Sequence, residues 1–217
     1  MVTFAAYWPV DNNPKHTQRL GHIEHLRKIG IDVFFGDKTH GLDCAEVLLG
    51  DPPASKVPAR LYSVRNCVLK FGLPVQPEVF QSLVKIWLSK VLLFQQAQAW
   101  APTGTVFVWV DCVHRPNLEL IACDTSGRVS VNRYGGSGTL PMHENPFLGG
   151  CCTRHVGTIA TFLSASVVKV PAGILDEFIS AYREMWAWVD GEYSVYDEEI
   201  ILSCMFQKSP EMFSVVN

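Results

Sequence analysis

Val106-Phe107-Val108-Trp109-Val110 runs without a break into Asp111, and Cys112-Val113-His114 follow. Five apolar, mostly β-favouring residues, in a window too short for a helix, read as a strand buried on both faces inside a parallel sheet. Open α/β sheets place their ligand crevice at the carboxyl ends of such strands. A carboxylate at that end stands where chemistry is done and is costly to bury without a partner. Asp111 is therefore the leading candidate site residue. The plainer alternative is a strand-end Asp that turns the chain or caps a neighbour.

Upstream of this strand, Pro77 to Trp100 carries the longest helical pattern: Val79, Leu83, Ile86, Trp87, Lys90, Val91, Phe94 and Ala97 recur at three- and four-residue steps. It leads through Ala101-Pro102-Thr103-Gly104 into the strand. At the start of the chain, Thr3 to Trp8 predicts a strand and His16 to Ile29 a helix closed by Gly30. Ile31 to Phe35 predicts a second strand, closed by Gly36-Asp37. That β-α-β unit favours parallel pairing with a right-handed crossover. Arg60 to Val64 is a further strand candidate.

Downstream, Leu118–Cys123 and Arg128–Val131 are read as short strands, and Thr158 to Val170 as a strand or hairpin. Pro171 opens a helix expected to reach Trp188, and Ser194 to Phe206 is the last helix. The Gly-rich stretches Tyr134 to Gly138 and Leu148 to Gly150 lack the Gly-Lys-Ser/Thr tail of a P-loop and the strand–helix setting of a dinucleotide fingerprint. The expected fold class is α/β, a single domain over residues 1–217.

The 217 residues are 48% apolar and 18% charged, enough for a full core. A net charge of −3 supplies no global basic field toward nucleic acid or anionic lipid. No apolar run approaches the ~18 residues of a membrane helix, and no leader is visible, so a cytoplasmic protein without an integral membrane segment is expected. The seven Cys form no Cys-x-x-Cys and fit reduced, mostly buried thiols. Cys151-Cys152 with His143 and His155 is a poor zinc set, because adjacent Cys are poor paired ligands. A thiol nucleophile at Cys112 or Cys152, as in a Cys-dependent hydrolase, is one alternative reading.

Three blocks together resemble the HtrL/YibB family of glycosyltransferases. They are Trp87-Leu88-Ser89-Lys90 through Ala97, then Phe107-Val108-Trp109-Val110-Asp111, then Asp197-Glu198-Glu199-Ile200-Ile201-Leu202 with Pro210-Glu211-Met212-Phe213. Order and rough spacing match over residues 75–217, and the first 75 residues match in outline. The resemblance implies a GT-A-like (Rossmann-like), mostly parallel sheet flanked by helices. Residues 1–114 would form the nucleotide-sugar-binding half and residues 115–217 the acceptor side. It implies a transferase moving sugar from a nucleotide-sugar donor to an acceptor hydroxyl, on a glycan or a modified nucleobase, assisted by Mn²⁺ or Mg²⁺. The family's Asp-x-Asp segment is only half present in Asp111-Cys112-Val113. Asp111 would be the metal ligand, with His114 or a water filling in. The missing carboxylate leaves a non-catalytic nucleotide-sugar or glycan binding protein as the other alternative.

Further residues fit that chemistry. Lys90 would reach a donor phosphate as a point charge, or snorkel at the surface. Arg60 and Arg65 would hold the donor, or be ordinary surface arginines. Tyr7 and Trp8 offer flat faces to a nucleobase, or pack in the core. Asp37 would accept hydrogen bonds from base or ribose. An inverting transfer needs a carboxylate base, for which Asp197 and Glu198 are nominated. The bland account is a helix start: Ser194 to Asp197 resembles a capping box, and acidic residues suit the helix N-terminus.

Overall fold

The computed structural model describes residues 1–7, 16–35, 87–112, 118–122, 125–133, 163–192 and 198–216. The strand that ends at Asp111 lies in the middle of a six-stranded sheet ordered β2-β1-β3-β5-β4-β6. Its strands are β1 (Val2–Tyr7), β2 (Asp32–Phe35), β3 (Val106–Val110), β4 (Val129–Arg133), β5 (Leu163–Pro171) and β6 (Phe213–Val216). β1 pairs in parallel with β2 and β3, and β4 in parallel with β6. Only β5 opposes its neighbours, running antiparallel to both β3 and β4. The expected α/β architecture, a mostly parallel sheet flanked by helices, is what is observed.

The helices are α1 (His16–Lys28), α2 (Leu93–Trp100), α3 (Leu118–Ala122), α4 (Leu175–Glu192) and α5 (Glu198–Lys208). Alternation along β3 divides the core between the two sheet faces. Phe107 and Trp109 join a large cluster with α2, α4 and α5, while Val108 and Val110 join a smaller one with Ile23, Leu26 and Leu120. This two-faced burial is why the strand reads as a continuous apolar run. Phe4 meets Phe94 and Trp109 edge-on, at ring centroid distances of 5.2 and 5.7 Å. β1, α2 and β3 are thereby locked together beneath the end of β3.

α1 stops where its sequence says. Ile31 N–H donates to Leu26 C=O and Gly30 N–H to Arg27 C=O, at 3.0 and 3.1 Å, with Gly30 at φ 82°. This is a Schellman closure, and Leu26 and Ile31 share the same cluster, the apolar contact that accompanies it. The chain then enters β2 in register with β1, Phe4 opposite Asp32.

Three expectations need correction. Leu118–Ala122 is a helix rather than a strand. The pattern read as one helix to Trp100 is interrupted by a 3₁₀ turn at Lys90–Leu92 before α2 begins. Such a turn inside a helical run often marks a functional or strained position. The C-terminal Phe213–Val216 adds an edge strand that the sequence reading left out. After Pro171, a 3₁₀ turn at Ala172–Ile174 precedes α4. The candidate strand at 60–64, the Gly-rich stretches, and Cys151, Cys152, His143 and His155 lie outside the described residues.

Candidate active site at the end of β3

The sheet changes direction of travel at β1. From β1 the chain moves outward to β2, and it later returns on the other side of β1 as β3. That is a topological switch point, and open α/β sheets take their ligands beyond the carboxyl ends of the strands at such a point, here β1 and β3. Phe4 pairs with Trp109, and in that register β1 continues to Tyr7, past the end of β3 at Val110. Tyr7 closes β1, opposite Phe35, and Asp111 follows β3 directly.

Three residues named from the sequence converge there. Lys90 Nζ donates to Asp111 Oδ2 at 3.2 Å and forms a second, shorter contact with Glu198 Oε1. The same ammonium lies 5.7 Å from the centroid of the Trp109 ring, within cation–π range. The Lys90 and Glu198 side chains are 9% and 3% exposed, and Asp111 is 22% exposed. Lys90 is thus not a surface lysine. It is a buried ammonium held between two carboxylates. An isolated charge at that depth would be prohibitively desolvated, and the paired contacts offset the cost. Of the three, Asp111 is the group that reaches solvent most.

Each partner arrives on a different element. Lys90 is the first residue of the 3₁₀ turn, and Tyr182 of α4 fixes the preceding chain by donating its hydroxyl to Leu88 C=O at 2.7 Å. Asp111 is placed by β3. Glu198 is the first residue of α5. The acidic start of α5 is therefore more than a response to the helix dipole, because Glu198 holds Lys90 and Glu199 Oε1 accepts from Ala165 N–H at 2.9 Å.

One further residue reaches this end of the sheet without any signal in the sequence. His22 of α1 has Nδ1 3.0 Å from Cys112 C=O. A carbonyl only accepts, so Nδ1 carries the proton and Nε2 is the acceptor in the neutral ring. Trp8, Asp37, Arg60, Arg65, His114 and Asp197 lie outside the described residues.

The chemistry of the donor set can be tested against a divalent cation. Among the described residues no group of three or more His, Cys, Asp or Glu side chains could hold a metal. A hard cation that keeps several waters needs only one or two carboxylates when a diphosphate supplies the remaining oxygens. A part-exposed Asp111 carboxylate fits that requirement. Cys112 is 3% exposed and packed in the smaller cluster, which closes that thiol to a substrate.

No protein-family model matches the chain, and no curated protein matches it. The HtrL/YibB likeness therefore stays a resemblance. Among solved structures the chain is similar to one titled as the crystal structure of a glycosyltransferase involved in the glycosylation of the major capsid of PBCV-1. The TM-score is 0.49 and the identity 10%, over 100% of this chain and 83% of that one. That is a likeness of outline, and the functional reading below rests on the ion cluster and its place in the sheet. Among the described residues, no helix is long and apolar enough to cross a membrane.

Proposed function

We propose that the chain is a glycosyltransferase that takes a nucleotide-sugar donor in the crevice between β1 and β3 and passes the sugar to an acceptor hydroxyl. The observation that carries this reading is the Lys90–Asp111–Glu198 cluster at the carboxyl end of β3, beside the switch point. A nucleotide fits such a crevice. The part-exposed carboxylate of Asp111 fits the metal-diphosphate end of the donor.

In this reading Asp111 is the protein's ligand to Mn²⁺ or Mg²⁺, with His114 as second ligand. When bound, the cation neutralises the charge developing on the departing diphosphate. Lys90 holds the Asp111 carboxylate in one position and does not itself bind phosphate. Tyr7 and Trp8 offer stacking faces to the base, Asp37 accepts from base or ribose, and Arg60 and Arg65 hold the donor. Glu198 is committed to Lys90, so taking the proton from the acceptor hydroxyl falls to Asp197.

A nucleotide panel read by thermal shift, with and without Mn²⁺, tests the proposal. A nucleoside diphosphate should raise the melting temperature, and more so with the metal. At 100-fold excess over Kd the linkage is worth ~2.7 kcal/mol, large enough to see. No shift with any nucleotide, metal present, would count heavily against it. A shift without turnover of any nucleotide sugar would favour a binding protein on this scaffold.

A further inference from the structure

The pairing of β5 breaks beside Asp111. Val131 of β4 is opposite Val168, but the next residue, Asn132, is opposite Ser164. Ala165, Ser166 and Val167 lie between those positions without partners in β4. Val167 stays paired with Val110 of β3, and Ser166 C=O accepts from Asp111 N–H at 2.7 Å. This irregular stretch therefore provides the backbone anchor of the candidate metal ligand.

Leaving β4 frees N–H groups that must find other acceptors, because this part of the strand is buried. Ala165 is 1% exposed, and its N–H donates to Glu199 Oε1 at 2.9 Å. Ser166 N–H turns to Ser164 Oγ at 3.3 Å. Leu163 N–H donates to Ser203 Oγ at 2.9 Å, while the Ser203 hydroxyl donates to Glu199 C=O at 2.6 Å. Glu199 in the first turn of α5 and Ser203 in the second thus accept from Ala165 and Leu163, and Ser164 of β5 accepts from Ser166. Strand irregularities next to active sites commonly re-aim a side chain.

We infer that Glu199 is a positioning residue for Asp111: its carboxylate holds the displaced stretch of β5 at Ala165, and that stretch holds Asp111 through Ser166. The adjacent Glu198 restrains the Asp111 side chain from the other direction, through Lys90. Two consecutive glutamates on one helix thereby fix the backbone and the carboxylate of one aspartate. The inference deepens the transferase reading for its catalytic consequence, while its structural half stands independently.

The variants are Glu199→Gln, which keeps an acceptor oxygen for Ala165 N–H, and Glu199→Leu, which has similar volume and none. Amide hydrogen exchange is measured at Ala165 and Asp111, with Phe107 and Val108 in the centre of β3 as controls. Glu199→Leu should speed exchange at Ala165 and Asp111 by at least ~10-fold relative to those controls, and Glu199→Gln should restore most of the protection; loss of an outer partner of a metal ligand typically costs 10–100-fold in activity or metal affinity, so kcat should fall by that range with donor KM little changed. Unchanged exchange at Asp111 in Glu199→Leu, or equal effects in Leu and Gln, would overturn the inference. If Glu199→Leu does not fold, the Gln variant decides alone: near-native protection and kcat support the acceptor role, and their loss contradicts it. If the wild type turns over no donor, the transferase reading fails, and the exchange data still settle whether Glu199 positions Asp111.

Discussion

Replacing Lys90 by Met keeps a long apolar stem against Trp109 and removes the charge. The Glu198 carboxylate, 3% exposed, then loses the Lys90 ammonium, and the part-exposed Asp111 loses a partner at 3.2 Å. Breaking a buried ion pair from one side typically costs ~3–5 kcal/mol, most of it the penalty of the stranded charge. The Asp111 share is smaller, because water still reaches that group. In a domain of this size each kcal/mol moves Tm by about 2–4 °C, so Lys90→Met should melt roughly 6–20 °C lower. Glu198→Gln should cost less, because the amide oxygen still accepts from Lys90 and Asp111 still balances the ammonium. The double variant Lys90→Met/Glu198→Met should be less destabilised than the sum of the two Met singles, by a coupling of roughly 0.5–3 kcal/mol. Urea denaturation of the four proteins completes the cycle. Lys90→Met within about 0.5 kcal/mol of wild type, the usual range for surface substitutions, would refute the buried-cluster argument.

Three other outcomes are expected. A Cβ on Gly104 would lie 2.8 Å from the Phe107 ring and 2.9 Å from Val2, so Gly104→Ala should destabilise by roughly 1–3 kcal/mol in a denaturant melt without weakening nucleotide binding. Tyr182→Phe strips the buried Leu88 carbonyl of its 2.7 Å donor just ahead of Lys90, and should cost about 1–3 kcal/mol in the same melt. Asp197→Asn should bind nucleotide normally while acceptor transfer falls by roughly 10²–10⁴-fold, the loss expected of a general base. Full transfer in both Asp197→Asn and Glu198→Gln would remove the start of α5 from the chemistry.

The sheet was legible where burial leaves a signature in composition. β3 is apolar on both faces and stops at a carboxylate, so both the strand and Asp111 could be read directly. The β1–α1–β2 unit was also readable, down to the glycine that closes α1. Short elements were not. Leu118–Ala122 has too few residues for its spacing to separate helix from strand, and its Leu-Glu-Leu start mimics alternation. β6 has only Phe-Ser-Val-Val behind a Pro-containing turn. The 3₁₀ turn at Lys90 was hidden because the apolar recurrence continues through it. Lys90, Asp111 and Glu198 could each be nominated, but not their mutual contact. Lys90 and Glu198 lie far apart along the chain and meet only because α5 packs on β5 and α2 on β3. The helix-start account covers Glu199 less well than Asp197, but the contact of Glu199 with Ala165 follows from a pairing irregularity that the sequence does not announce.

In the proposed transfer, Asp111 holds the metal-diphosphate end of a sugar donor at the carboxyl end of β3. Release of nucleoside diphosphate from a panel of nucleotide sugars, with Mn²⁺ present, should be compared between wild type and Asp111→Asn. Asparagine keeps an oxygen for Lys90, so the variant should stay folded. Wild type should turn over at least one donor, and Asp111→Asn should lose at least ~10²-fold of that rate, as when one preorganised electrostatic group is removed. Equal rates in the two proteins, or no release from any donor by the wild type, would contradict a donor-binding role for Asp111.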